Sequence, residues 1–264
     1  MINIMLRKIK DQFKGVAYYA LGLLAYTWLM IGMFPSMQKF DIQEMMRQLP
    51  PEMSKFFGGD TGMQYNKIEG FLSIEYLSIF FVLIICFYLA SSVGAAIAGN
   101  IESKVAQFDL SQPISRTKYA LSQIMISVLF TLILVWFNAL IIKVLCSAYN
   151  VPISNSGIIK FGIVASLFML AFIGIASFLS SIIKNKLSVT LITVAFALGS
   201  YVFLSLSNIV DKLKDFEKLS IYFLYQPQKL LENGDININH TLILASIFLI
   251  GLISSLIIFN KKDL

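Results

Sequence analysis

Charge is the scarcest property of this chain. Asp, Glu, Lys and Arg together supply 14% of its 264 residues, against about a quarter in soluble domains. Histidine occurs once, as His240, and cysteine twice, as Cys86 and Cys146. Three such residues in separate apolar runs make neither a metal-ligand cluster nor a disulfide framework. Both thiols read as small packing residues, and His240 reads as an interfacial residue opening an apolar run. No Gly-x-x-x-x-Gly-Lys-Ser/Thr loop is present, so the chain has no phosphate cradle of that kind. Carboxylates are missing from the centres of the apolar runs, where an ion-coupled carrier would hold its ion. The basic residues flank apolar runs instead of forming a patch, which argues against nucleic-acid binding. Neither a repeat of roughly 20 to 50 residues nor an inverted-repeat symmetry is visible.

What the sequence has in excess is apolar surface: 57% hydrophobic residues and a mean hydropathy of +0.77. The pattern predicts an all-α polytopic membrane protein, a single domain over residues 1–264. Six transmembrane helices are expected at approximately 16–34, 71–98, 118–146, 158–183, 187–206 and 241–259. Each is near the length that crosses a hydrocarbon core of about 30 Å. Residues 1–14 place Ile2, Leu6, Ile9 and Phe13 on one helical face with Arg7, Lys8, Lys10 and Lys14 around it. That stretch is expected as a separate amphipathic helix in the headgroup layer, not a cleaved signal.

Two long polar segments, 35–70 and 207–240, carry short amphipathic stretches. In the first, Met45, Met46 and Leu49 are divided from Met53, Phe56 and Phe57 by Pro50-Pro51. An uncharged loop at 147–157 and the basic turn Lys184-Asn185-Lys186 complete the connections. Six spans place both termini on one side, with residues 99–118, 184–186 and 260–264. That side holds Arg7, Lys8, Lys10, Lys14, Lys104, Arg116, Lys118, Lys184, Lys186, Lys261 and Lys262 on few residues. The acidic residues lean the other way. The positive-inside rule therefore predicts cytoplasmic termini.

A few polar or small residues lie inside the spans. Glu75 and Lys143 sit just within the outer ends of the second and third spans and are expected to interact, directly or through water. Asn138, deeper, is expected to bond a neighbouring helix. Ser91, Ala95 and Gly99 recur every four residues, as do Gly251 and Ser255, and read as close-approach faces for helix packing.

The central feature is Gly99–Tyr119, a polar interruption between two long apolar runs. Ile101, Val105, Phe108 and Leu110 follow one helical stripe. Asn100 is expected to cap this short helix, Glu102 to sit in its first turn, Pro113 to end it and Ser115 to cap the next helix. A short amphipathic helix across the ends of two spans has the shape of a lever.

The stretch resembles the signature of type-2 ABC-transporter permeases, which often read Gly-Glu-Ile-Glu-Arg-Gly-Thr, a leucine run, then Pro-Ile-Ser-Arg. Gly99, Ile101, Glu102, Leu110, Pro113, Ile114, Ser115 and Arg116 match; Asn100, Lys104 and Val105 stand where the family has Glu, Gly and Thr. Leu49-Pro50 through Phe57-Gly58 is similar to the family's first outer loop. Leu219-Ser220 through Gln226-Pro227, with Leu230-Leu231 and Gly234, is similar to the loop before its last span. Phe259 followed by Lys261-Lys262-Asp263-Leu264 is similar to its usual ending. That ending also fits a dilysine endoplasmic-reticulum retrieval pattern, which the family resemblance makes unnecessary.

The resemblance implies a permease in the bacterial plasma membrane, paired with itself or a similar permease. It implies two copies of a separate cytoplasmic ABC ATPase, which binds the ATP and Mg; this chain needs no cofactor and is no enzyme. A coupling helix at 99–112, using Asn100, Glu102, Val105 and Phe108 and flanked by Pro113 and Arg116, would seat in the ATPase. Glu102 would either contact that ATPase or tie the span end to Arg7 and Lys10. The resemblance further implies short re-entrant outer helices before spans two and six, and a route lined mainly by spans two and five. Transport is expected outward. Abundant Met and Phe, 11 and 22 residues, favour a hydrophobic or amphipathic substrate such as a membrane-active peptide or drug. An ion-coupled secondary carrier and a non-transporting immunity or assembly subunit remain as alternatives.

Overall fold

The computed structural model describes residues 2–37, 67–106, 115–232 and 234–262, and every regular element among them is helical. In chain order these are α1 (Ile2–Met37), α2 (Ile68–Leu72), α3 (Phe80–Gly94), α4 (Asn100–Glu102) and α5 (Arg116–Ala148). They continue with α6 (Asn155–Ile182), α7 (Lys186–Ile209), α8 (Pro227–Leu231) and α9 (Ile238–Lys261). Six helical stretches are long and apolar enough to cross a membrane: Lys8–Met37, Phe80–Glu102, Arg116–Ala148, Asn155–Ile182, Lys186–Ile209 and Ile238–Lys261. These are the six runs expected from hydropathy, the helix set of a multi-pass membrane protein.

Three of the six form the centre. About two thirds of α3 and α6 and 61% of α5 are buried within the bundle, whereas α1, α7 and α9 bury only 22–28%. Each outer helix leans mainly on one central partner: α1 on α5, α7 on α3, α9 on α6. The α6–α9 contact is backbone to backbone. A Cβ at Gly174 would stand 2.7 Å from the Phe248 Cα, and one at Gly251 would collide with the Gly174 carbonyl group. Gly251 thus does serve as the close-approach residue of the last span.

The helix starts follow side-chain capping. Ser115 accepts from the Lys118 N–H at 3.4 Å, as the sequence predicts. Ser154 accepts from Gly157 at 3.2 Å, Asn185 from Ser188 at 2.9 Å, and Asn237 from Asn239 at 3.0 Å. Each cap satisfies an N–H that the first helical turn leaves without a partner.

The second span is not one regular helix. A π turn at Ser73–Leu77 precedes α3, with a break at Ile79 (φ −125°, ψ −61°), and a second π turn at Ala95–Gly99 follows it. In the second turn the Ser180 hydroxyl of α6 stands between the Ala98 N–H (3.0 Å) and the Val93 carbonyl (3.2 Å). A side chain inserted into the helical ladder is a recognised cause of such local unwinding.

At the end opposite the chain termini, 3₁₀ turns at Asp211–Leu219 and Ile221–Leu224 lead into α8. Tyr222 and Tyr225 are buried there against Phe168 of α6, Tyr225 stacking on it at 4.4 Å and Tyr222 meeting it edge-on at 5.1 Å. Before the last span this segment is a run of short 3₁₀ and α turns packed on α6. Of the matching segment at 35–70, residues 38–66, with the amphipathic stretches at 45–57, lie outside the described residues.

One expectation is corrected at the N-terminus. Residues 2–14 do not form a separate helix; they are the first turns of α1, whose helical bonding runs through Gly15 without interruption. No proline or capping side chain stands near Gly15, and a lone glycine costs a helix only about 1 kcal/mol.

Candidate functional site

Of the residues singled out around 99–116, Asn100, Glu102 and Arg116 gather where α4 ends, α5 begins, α6 ends, α7 begins and α9 ends. Asn100 is not a helix cap. Its Nδ2 donates to the Ala96 carbonyl and to the Tyr119 hydroxyl, both at 2.9 Å, and so fastens the end of the second span to the start of the third. The reason is that the helix does not start there: Gly99 is helical (φ −66°, ψ −37°), leaving no free N–H group to cap.

Glu102 ends that helix and reaches a partner not expected from sequence. Its Oε1 accepts from Asn185 Nδ2 at 3.0 Å and its Oε2 from the Lys186 N–H at 3.1 Å. A carboxylate at a helix N-terminus meets both the free N–H groups and the positive end of the helix dipole. Asn185 uses its other amide atom, Oδ1, as the α7 cap. The start of α7 was not among the partners expected for Glu102, which were the ATPase or Arg7 and Lys10. The Arg7 side chain lies outside the described residues; Lys10 and Phe13 are exposed on α1, and Lys8 is half-buried.

Beyond Glu102 the chain turns at Lys104, which adopts the left-handed conformation (φ 59°). Ser103, Lys104 and Val105 are exposed. Phe108 and Pro113, and with them residues 107–112 of the expected 99–112 helix, lie outside the described residues. Arg116 resumes the chain: its Nη1 donates to the Lys262 carbonyl at 2.6 Å. The Lys262 ammonium in turn donates to the Ser181 carbonyl at 2.8 Å, closing the C-terminal end of α6. Burial and the neighbouring Lys184 ammonium push the Lys262 pKa below its usual value. Tyr119 stacks on Phe259 beneath this clamp, with ring centres 6.5 Å apart. An open groove of about 410 Å³ between α3 and α7 is lined by Ser91, Glu102, Asn185, Lys186, Leu187 and Thr190.

No family model matches the chain, and neither a curated protein nor a solved structure matches it. What the site can do must be read from its own geometry. It contains no group of three or more His, Cys, Asp or Glu among the described residues that could hold a metal. Its groups are hydrogen-bonding ties between helix ends.

The opposite end holds a second cavity of about 480 Å³, lined by residues that include Phe34, Lys67, Glu69, Ser154 and Glu232. Glu75 and Lys143 are both exposed, and no ion pair joins them. An ion pair joins Lys160 and Asp235 at 4.0 Å, with a fully exposed aspartate, a geometry worth little in stability.

Two polar clusters inside the bundle carry more. Asn138 Nδ2 donates to the Tyr76 hydroxyl at 2.6 Å and to the Thr27 hydroxyl at 3.0 Å, all three fully buried. Asn138 thus bonds two neighbouring helices where one was expected. Nearer the termini, Gln12 Oε1 accepts from Tyr88 and Ser92, both at 3.2 Å, and the Ser92 and Ser127 hydroxyls share a 2.6 Å bond. Gln12 escaped sequence reading, although its place on the helix face away from Lys10 and Lys14 marks it as an inward polar residue. Cys86 and Cys146 are free and buried, as packing residues should be.

Proposed function

We propose that this chain is the membrane-spanning permease subunit of an ATP-driven exporter in a bacterial plasma membrane, with both termini cytoplasmic. It works as a homodimer or with a similar permease, and moves a hydrophobic or amphipathic substrate outward. Two copies of a separate ABC ATPase bind ATP and Mg and supply the energy. The observation that carries this reading is the placement of Asn100, Glu102 and Arg116. Glu102 and Arg116, which match the family signature, and Asn100, which stands where the family has Glu, lie at one end of the bundle, and each is bonded to a different partner helix or chain end. After Glu102, Ser103, Lys104 and Val105 are exposed. A rigidly held frame around an exposed connection is what a docking lever requires.

The experiment is affinity purification of the tagged chain from its native membrane, followed by nucleotide-hydrolysis assays in nanodiscs. An ABC ATPase is expected to co-purify, and a cationic amphipathic peptide to stimulate its hydrolysis. Phe108→Ala, at an apolar knob of the expected lever, should weaken that association or uncouple hydrolysis from transport, since a buried interface aromatic is commonly worth about 2 kcal/mol or more. Recovery of the chain with no ATPase, at any nucleotide concentration, defeats the reading.

A further inference from the structure

Helix α7 is held in an unusual way. At one end, Asn185 and the Lys186 N–H are both gripped by the Glu102 carboxylate. Behind that grip, a Cβ at Gly94 would sit 3.1 Å from the Lys186 carbonyl, so the helix backbones touch there. Further along α7, the Ser220 hydroxyl donates to the Ser200 carbonyl at 2.7 Å, and the Ile221 N–H donates to the Ser200 hydroxyl at 3.4 Å. Tyr201 meets Tyr222 edge-on at 5.5 Å. Lys186 and Ser200 are 14 residues apart, a rise of about 21 Å in an α-helix. The two anchors therefore lie toward opposite faces of the bundle.

Between them, the polar side chains on the buried face of α7 bond only to α7 itself. Thr190 donates to the Lys186 carbonyl at 3.1 Å and Thr193 to the Val189 carbonyl at 2.8 Å. Their buried companions Val189, Val194 and Ala197 are apolar. No cross-helix hydrogen bond among the described residues pins this middle stretch to α3. A helix tied at its two ends and resting on apolar contacts between them can shift as a unit, because apolar contacts are non-directional while hydrogen bonds are not.

We infer that α7 is a connecting rod: Glu102 delivers movement of the 100–106 segment through α7 to the segment at 211–225 on the opposite side of the membrane. Its use in transport rests on the permease reading; the mechanical linkage itself does not. In that use, movement of the exposed connection would reposition Tyr222 and Tyr225, which lie against α6, without passing through α5.

The test is hydrogen exchange on the purified full-length chain in nanodiscs, with no ATPase or substrate added. Glu102→Gln replaces an accepting oxygen with a donor facing Asn185. Asn185→Asp keeps the cap to Ser188 but sets two carboxylates against each other. Either change should raise exchange severalfold at residues 186–190 and also at residues 219–224. The double variant restores a donor–acceptor pair in reversed sense, so exchange should return toward the native rate at both ends. Ser220→Ala, which removes the Ser220 hydroxyl bond to Ser200 at the far anchor together with the Ser220 cap of Tyr222, should raise exchange at Lys186, since coupling between two sites is reciprocal. Faster exchange confined to residues 186–190 in the Glu102 variant, or no response of Lys186 to Ser220→Ala, overturns the linkage. Neither outcome bears on whether an ATPase binds, and a failure of ATPase co-purification leaves the exchange result intact.

Discussion

The Asn138 amide donates to the Tyr76 hydroxyl across 2.6 Å, between residues 62 positions apart, in the fully buried centre of the bundle. Thr27 completes the cluster, donating to the Tyr76 hydroxyl at 3.0 Å or to its own helix at Leu23. In a bilayer the apolar side chains of neighbouring helices gain little by leaving lipid, so small-residue packing and such bonds carry much of the specificity. Here they fix three helices, α1, α5 and the π turn before α3, in one register.

Asn138→Leu should therefore lower stability by about 1 kcal/mol, the range measured for hydrogen bonds between membrane helices. Thr27 and Tyr76 retain each other as partners in that variant. Asn138→Ala should cost more, because it also leaves a void where the amide was. Thermal unfolding of the purified chain in one detergent ranks the variants. A leucine variant as unstable as the alanine one shows that the site needs the amide itself and not its volume.

Gly174 and Gly199 make a matched pair of helix glycines. Around Gly174 the nearest atoms are backbone of α9, at 2.7–2.9 Å from a Cβ, and backbone cannot rotate away. Gly174→Ala must push α6 and α9 apart and should cost about 1–3 kcal/mol, the usual range for overpacking. A Cβ at Gly199 meets nothing within 4 Å, so Gly199→Ala should be neutral or slightly stabilising. Melting temperatures of the two variants, measured side by side, should fall for the first only.

The C-terminal clamp depends on a guanidinium. Arg116→Ala removes the 2.6 Å bond to the Lys262 carbonyl and should cost about 1 kcal/mol locally. Arg116→Lys keeps the charge but loses the planar multi-donor head, so it should recover only part. Limited trypsin digestion reports this directly. Cleavage after Lys261 should quicken in the alanine variant and to a lesser degree in the lysine variant, while the remaining fragments are unchanged. Equal cleavage in all three forms means that the clamp does not hold the chain end.

Sidedness is open to labelling. In a background lacking Cys86 and Cys146, a cysteine at Ser154 should react with an impermeant maleimide from outside intact cells. A cysteine at Ser103 should react only after lysis. The reverse pattern would invert the orientation that the lysine and arginine distribution predicts.

The number and approximate limits of the six membrane helices were legible in the sequence alone, and so was the Ser115 cap. Hydropathy and capping are local: each depends on residues within one helix or one turn, so the linear order contains them. Asn138 was legible as a bonding residue because a buried amide in a membrane span must find a partner, though which partner was not. Other features were decided only in three dimensions. Glu102 and Asn185 lie 83 positions apart, and their contact exists because α7 happens to lean on α3. The sequence offered Arg7 and Lys10 on equal terms, since charge alone does not say which helix end stands nearby. Asn100 looked like a cap because a polar residue follows a glycine there. The tertiary structure carried the helix through it, with the Ser180 hydroxyl from α6 opening the turn just before. Local preferences worth about 1 kcal/mol or less per residue set where helices begin when nothing else intervenes. The packing of whole helices, acting through many contacts at once, decides which of those preferences survive and which side chains end up facing one another.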